Sequence, residues 1–449
     1  MTTGRDVRNR MLPRSRALAI PAAAQAMTPG VAPQLAATPS LPGPFRRLAW
    51  SNLAAQSAEQ IGLAAAPLIA VLALGAQEGA AGMLQTAQTL PFLLVSIPAG
   101  ILVDRMSRAR LMALAEGVRV ASLLAILALL LAGALTMPQL AILGFIGACG
   151  TVVYGVAAPA LVPSLVERVA LPLANGRIEL ARTTAYAAGP ALGGALVGWI
   201  GGAPAFALAA ALSGIAVVLL AGIAEPPPRR RPEPHPLRDA REGAAFVLGH
   251  RLLRPILMTQ FLFSVALFMI MAVYAPYAVH RLGLSPAGVG LTLAALGLGM
   301  VAGALAAAHL MRRLALGTVI AIGPVSGLAA ALAMALTILV PSGWIAGLSF
   351  FLMGAGPIVW VVSTTTLRQT ITPEHLLGRV SAINSLAYGA RPVGAGIGAV
   401  VGGFFGAEIC LVVAALGFLA QAAVILLSPV LQLNGQPACM DGRISAPRA

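Results

Sequence analysis

The sequence predicts an all-α membrane protein whose twelve transmembrane helices form two pseudo-symmetric six-helix bundles. Three observations lead there. The 449 residues are 59% hydrophobic and 10% charged, with a mean hydropathy of +0.89, too apolar for a soluble globular chain. Apolar runs of spanning length, about 20 residues, recur along the chain, with arginine gathered in alternate connections. A stretch of the first half also returns in the second half, 202 residues on.

The expected spans are 47–75, 80–103, 110–133, 138–165, 178–201, 204–224, 255–280, 286–311, 316–340, 343–367, 379–405 and 408–430. Arginine orients them. The N-terminal arm, the loops at 104–110, 166–177, 225–254, 312–315 and 368–378, and the C-terminal tail hold nearly all arginines outside the spans. The turns Ala76 to Gly79, Gly133 to Gln139, Gly201 to Pro204 and Pro341 to Gly343 hold none, and Arg281 alone lies on their side. By the positive-inside rule both termini are cytoplasmic, in agreement with an even number of spans, and the expected location is a bacterial inner membrane. A net charge of +15 would suggest nucleic acid in a soluble domain. Here the charge marks topology, so the expected partner is the lipid bilayer and not nucleic acid.

Residues 1–44 are rich in arginine, alanine and proline and predict a disordered cytoplasmic arm. A start codon assigned too early would explain them equally well. The apolar segment Ala17 to Met27 is short and contains Pro21, unlike a signal-peptide core. The first bundle follows at 45–224, a cytoplasmic linker at 225–254, the second bundle at 255–430 and a cytoplasmic tail at 431–449. The linker opens with Pro-Pro-Pro-Arg-Arg-Arg. Leu237, Ala240, Ala244, Val247, Leu248 and Leu252 then fall at near-helical spacing, which predicts a helix on the cytoplasmic membrane surface; a plain tether is the alternative. The three cysteines and five histidines are scattered, so no disulfide framework, metal site or cofactor is expected.

Adding 202 to positions between Gly176 and Gly201 pairs Gly176 with Gly378, Arg177 with Arg379, Ala185 with Ala387, Tyr186 with Tyr388, Ala188 with Ala390, Pro190 with Pro392, Gly194 with Gly396 and Gly201 with Gly403. The pairing has no gap. The fifth and eleventh spans are therefore read as copies.

Between the second and third spans stands Gly100-Ile-Leu-Val-Asp104-Arg105-Met-Ser-Arg108-Ala-Arg110. It resembles the signature loop of the major facilitator superfamily, Gly-x-x-x-Asp-Arg-x-Gly-Arg-Arg, with Gly100, Asp104, Arg105 and Arg108 in register and Ser107 and Ala109 departing from it. A solvated hairpin alone would also carry such charges. The repeat, the span number and the central linker extend the resemblance over residues 45–430, and a parallel repeat of two halves is what that superfamily has. Gly189-Pro190-Ala191-Leu192-Gly193-Gly194 resembles its antiporter motif, in which proline bends the helix and glycine admits a neighbouring helix; general small-residue packing is the plainer reading. The resemblance implies a gating role for these motif residues. It also implies that Asp104 meets the positive end of the eleventh helix, near Gly378 and Arg379, when the transporter faces outward.

Charges at membrane depth cost about 2.5–3.5 kcal/mol even on the lenient scale, so they point to mechanism. Glu59 lies near mid-depth, on one face with Asn52 and Gln56 and eight residues before Pro67. This resembles the acidic residue of the first helix in the branch that includes enterobactin exporters. Arg391 is the second such residue, where the repeat copy has Gly189. Glu116 with Arg119 and Glu179 with Arg182 are spaced i,i+3 near expected helix ends and read as local ion pairs. By resemblance, the first, fourth, seventh and tenth helices line a central cavity, which adds Gln56, Tyr154, Phe268, Tyr274 and Trp360 to Arg391 as candidate substrate contacts. The expected activity is proton-coupled export of a small organic molecule such as a drug or siderophore by a monomer, with Glu59 carrying the proton. The alternatives are a proton symporter or uniporter importing a metabolite, and a scaffold or receptor that transports nothing. No nucleophile–base pair, metal cluster or Walker loop is visible, so neither an enzyme nor an ATP-driven pump is expected.

Overall fold

The computed structural model describes residues 41–167, 170–225, 236–373, 376, 380, 383 and 387–435, and among these the regular structure is helical throughout. Most of the N-terminal arm, the last residues of the tail, the proline–arginine run of the linker and the Gly378–Arg379 pair lie outside the described residues. The helices are α1 (Gly43–Leu72), α2 (Glu78–Leu94), α3 (Ser96–Arg105), α4 (Arg108–Leu131), α5 (Met137–Leu165), α6 (Leu171–Ile200), α7 (Gly202–Ala221), α8 (Pro236–Gly249), α9 (Leu253–His280), α10 (Pro286–Arg313), α11 (Leu316–Leu336), α12 (Gly343–Ile371) and α13 (Arg391–Leu426).

Among the described residues nine helices are long and apolar enough to span a bilayer, and α2 with the start of α3 makes a tenth span bent by 44°. The bend falls at Val95, between Pro91 and Pro98, where missing N–H donors break the helical ladder. Two further expected spans differ in form. α6 is long enough at 30 residues, but Arg177, Glu179 and Arg182 sit in its first half and it falls outside the nine. α13 contains the last two expected spans, which separate at Gly406 with φ 86° and ψ 165°. α13 starts at Arg391 after a 3-10 turn at Ala387–Ala390, and Val380 and Ile383 before that turn are also helical, so the expected eleventh span changes from a 3-10 turn to a continuous α-helix at Arg391. Pro392 at the second position favours a start there. The repeat aligns Gly201 with Gly403, yet the positive φ that Gly201 has falls in the second half on Gly406. The turn thus slips by three residues to a glycine that tolerates it.

Within the first half α1 packs on α6 and α7, α4 on α5 and α7, and α2 on α5; in the second half α9 packs on α13, α10 on α12, and α11 on α12 and α13. The halves meet mainly along α6–α10 and α2–α13. At several glycines along both seams backbone meets backbone. A Cβ at Gly82 would lie 2.5 Å from the Ala399 Cα, and one at Gly290 would lie 2.4 Å from the Pro190 carbonyl oxygen. Gly194 and Gly297 meet the opposing backbone in the same way, at Pro286 and Ala187. The contacts run from the arginine-poor end, at Gly82 and Gly194, to mid-span, where Gly297 meets Ala187. Toward the other end, a Cβ at Gly100 on α3 or Gly176 on α6 would meet nothing.

The linker helix α8 is tied to the second half, with Val247 packed among Leu253, Leu376, Val380 and Ile383. It stops at Gly249, before the expected end. His250 then caps α9: its Nδ1 accepts from the N–H groups of Leu252 (3.1 Å) and Leu253 (3.4 Å), which needs a neutral imidazole, and burial pushes its pKa down.

A methyl group added at the seams has nowhere to go. Gly82→Ala and Gly290→Ala should each destabilise the protein by about 1–3 kcal/mol through overpacking. Gly214→Ala, where a Cβ meets nothing, should leave the thermal midpoint of the purified protein unchanged or raised.

Candidate functional site

Beside the seams lies a cavity of about 300 Å³. The first half supplies most of its wall: Glu59 and Gly62 to Ala64 from α1, Gln85, Gln88, Thr89 and Phe92 from α2, Arg119 and Ser122 from α4, Thr151 from α5, Tyr186 and Pro190 from α6, and Phe206 from α7. The second half adds Leu267, Phe268 and Met271 from α9, Leu293 and Leu296 from α10, and Arg391 from α13. Glu59 and Arg391, singled out separately by membrane depth, thus share one cavity.

Each charge in the wall is held differently. The Arg391 guanidinium lies over the Phe92 ring at 4.7 Å and near the Phe268 ring at 5.4 Å, contacts worth up to about 2 kcal/mol when desolvated. Arg119 is clamped by three helices. It pairs with Glu116 at 2.8 Å, donates to the Ala55 carbonyl of α1 at 3.1 Å and to Thr151 Oγ1 of α5 at 2.6 Å. Glu116 is fully buried and Arg119 is 4% exposed, so this is no ion pair at a solvated helix end. Glu179 and Arg182 are more exposed. Glu59 feels the positive charges of Arg119, Arg391 and Arg182 and the negative charge of Glu116. Two amide groups in the wall, Gln60 Nε2 and Gln88 Oε1, are buried without a hydrogen-bond partner, a cost that a polar ligand group would relieve.

Several expected contacts lie elsewhere. Tyr154 is buried at the arginine-rich end of α5, with its hydroxyl 3.4 Å from Ser51 Oγ. Tyr274 turns to α10 and α12, hydrogen-bonding Thr292 and packing edge-on against Phe350 at 4.6 Å. Trp360 faces α11, where Gly323 brings the helices so close that a Cβ there would lie 2.4 Å from the Trp360 Cβ. None of the three lines the cavity, and α12 is absent from its wall. Gln56 is half-buried and also outside the wall, while Asn52 of the same stripe donates to the Ile178 carbonyl of α6 at 3.3 Å. Gln85, Gln88, Phe92, Arg119, Tyr186 and Phe206 were missed. Gln85, Gln88, Thr89 and Phe92 share one face at i, i+3, i+4 and i+7, a pattern the sequence does display.

The motif residues divide between packing and the signature loop. Gly189 and Gly193 press α6 onto α1, where Cβ atoms would lie 2.4 Å from the Gln60 Cβ and 2.9 Å from the Ile61 carbonyl oxygen; Gly194 faces α10, and Pro190 sits inside an unbroken α6. In the signature loop Arg105 is exposed, and the Asp104 side chain lies outside the described residues. Ser107, the departure from the family pattern, is the N-cap of α4. Its hydroxyl donates to Glu225 at 2.9 Å, and the same carboxylate receives the Ala109 N–H at 3.1 Å and pairs with Arg108 at 3.3 Å. Glu225 follows α7 immediately before the linker. It joins the loop to the start of that linker.

Residues 48–394 match the family model of the Major Facilitator Superfamily. The chain belongs to the major facilitator superfamily. It is 30% identical over 320 residues to the enterobactin exporter EntS of Escherichia coli O1:K1 / APEC, covering 70% of this chain and 74% of that one. It is 26% identical over 370 residues to the multidrug efflux pump Tap of Mycobacterium tuberculosis (strain ATCC 25618 / H37Rv), covering 78% and 85%. In fold it resembles a bacterial homologue of the iron transporter ferroportin in an inward-facing state, with TM-score 0.67, 15% identity and coverage of 86% of this chain and 98% of that one. The nucleoside transporter NupG gives TM-score 0.66 at 12% identity, covering 86% and 99%. This is a membrane transporter of small molecules and not an enzyme.

Glu225 is 2% exposed at its side chain and its carboxylate takes three donors. Glu225→Gln replaces an ionic acceptor by a neutral amide at a buried site, and should destabilise the protein by about 1–3 kcal/mol. Ser107→Gly, which restores the family residue, should cost less because the other two bonds to Glu225 remain. Thermal midpoints of the two purified variants check this order.

Proposed function

We propose that this protein is a secondary exporter of a bacterial inner membrane, with its termini and arginine-rich loops cytoplasmic, moving a small organic molecule outward in exchange for protons. The observation that carries the reading is Glu59, a carboxylate in the wall of a cavity between two halves whose backbones touch from the arginine-poor end to mid-span. The similarity to EntS and Tap supports export and a drug-like or siderophore-like cargo. Phe92, Phe206, Phe268 and Tyr186 would take an aromatic or apolar body, with Gln60, Gln85 and Gln88 meeting its polar groups. Substrate and proton exclude one another where the substrate is cationic, since a cation beside Glu59 displaces its proton.

Arg391 favours a second reading. An anionic substrate group would bind this guanidinium, and in the same cavity it would repel ionised Glu59 and draw a proton in with it. Proton and substrate would then travel together, as in a symporter. Substrate charge therefore decides the direction of coupling. The wild type in weakly buffered detergent should release protons when an exported substrate binds, and Glu59→Gln should release none while still binding it. Proton uptake would select the symport reading, and unchanged release by Glu59→Gln would remove the proton from Glu59.

The opposite state must close the arginine-rich end. We assign Asp104 to that closure, against Gly378 and Arg379, where the family resemblance puts the positive end of the eleventh helix, because a carboxylate at a helix N-terminus gains up to about 2 kcal/mol when partly buried. Asp104→Asn should raise maleimide labelling of a cysteine placed at Gly176, on the cytoplasmic face of α6. Unchanged labelling would remove Asp104 from the gate.

A further inference from the structure

Burying an arginine–glutamate pair among membrane helices is a poor route to stability, because desolvating both ions offsets their attraction and apolar residues would pack as well. Yet Glu116 and Arg119 are fully or almost fully buried, and Arg119 reaches the wall of the same cavity as Glu59. The hydrogen bond to the Ala55 carbonyl puts the guanidinium one helical turn before Glu59 on α1. With Thr151 and Glu116 as its other partners, this guanidinium is held by α1, α4 and α5 at once and cannot follow a substrate.

We propose that Arg119 is a positioning residue for proton exchange at Glu59: its locked guanidinium supplies a fixed positive field at the Glu59 carboxylate, Glu116 partly offsets that field, and the pair together sets the pH at which Glu59 gives up its proton. The inference rests on Glu59 as the proton carrier. The other groups facing Glu59 are Arg391 on α13, Arg182 and the Tyr186 phenol on α6, and the uncharged Gln85 and Gln88 on α2. Arg119 combines a charge with a position fixed by a hydrogen bond to the helix that carries Glu59.

The test needs no substrate. Infrared difference spectroscopy of the purified full-length protein in lipid follows the carboxylic-acid carbonyl band as pH is raised, and the band missing from Glu59→Gln belongs to Glu59. Glu116→Gln removes the offsetting negative charge and should move the midpoint of that band to lower pH. Arg119→Gln should move it to higher pH, each by about one pH unit, the size expected of a nearby charge. The double variant should return close to the wild type, and Arg119→Lys, which keeps the charge, should shift it less than Arg119→Gln. If Arg119→Gln leaves Glu116 unpaired and fails to fold, the downward shift in Glu116→Gln and its loss in the neutral double variant still test the inference. Shifts of one sign in both single variants, or none, would overturn the inference while leaving Glu59 as carrier. Absence of any titrating band that depends on Glu59 would overturn the reading beneath it.

Discussion

In a bilayer the two halves of this chain gain little by hiding apolar surface from each other, because lipid tails are as apolar as leucine. What holds them is contact close enough for backbones to touch, and Gly82, Gly194, Gly290 and Gly297 allow it. This constraint also places the cavity. Along α6 the same face runs from Gly198 and Gly194 at the seam to Pro190 and Tyr186 in the cavity wall; along α2 it runs from Gly79 and Gly82 to Gln85, Gln88 and Phe92. At Pro190 and Tyr186 the α6 backbone still touches α10 while the residues line the cavity. The polar and aromatic groups available to a substrate therefore begin within about two turns of the contact that closes the site.

Two ways of keeping an arginine in this environment stand side by side. Arg119 is saturated by a carboxylate, a hydroxyl and a carbonyl, which fixes both its charge and its position. Arg391 lies against the rings of Phe92 and Phe268, contacts that stabilise a cation through its face. The clamped cation suits a field, a conclusion that follows from the partners of the side chain and not from its charge.

The sequence carried the spans, their alternating arginines, the repeat and the linker because each depends on composition or on a register. Glu59 and Arg391 were legible for a similar reason, since a charge in an apolar run stands out whatever the helix does. Direction was not legible. α5 and α9 are apolar on every face, so hydrophobic periodicity has no contrast with which to orient Tyr154 or Tyr274. Trp360 was misplaced by a neighbour, Gly323, that lies on another helix and draws α11 against it. Glu116 and Arg119 misled because their i,i+3 spacing is that of an ordinary surface pair, whereas their burial depends on how α1, α4 and α5 converge.

The arrangement of bonds also indicates which parts can move. At Gly82, Gly194, Gly290 and Gly297 the α6–α10 and α2–α13 seams join backbone to backbone, contacts that part without breaking a charged interaction. The links to Glu225 lie instead within the first half, tying the end of α7 to Ser107, Arg108 and Ala109, and α8 is bound to the second half through Val247. The buried ion pairs therefore bind the first half internally, and backbone contacts with the Arg391–Phe92 stacking join the halves. That distribution suits rocking of two bodies about a shared cavity. It also makes the segment after Glu225, anchored to the signature loop at one end and to the second half through α8 at the other, the covalent path by which one half's movement reaches the other.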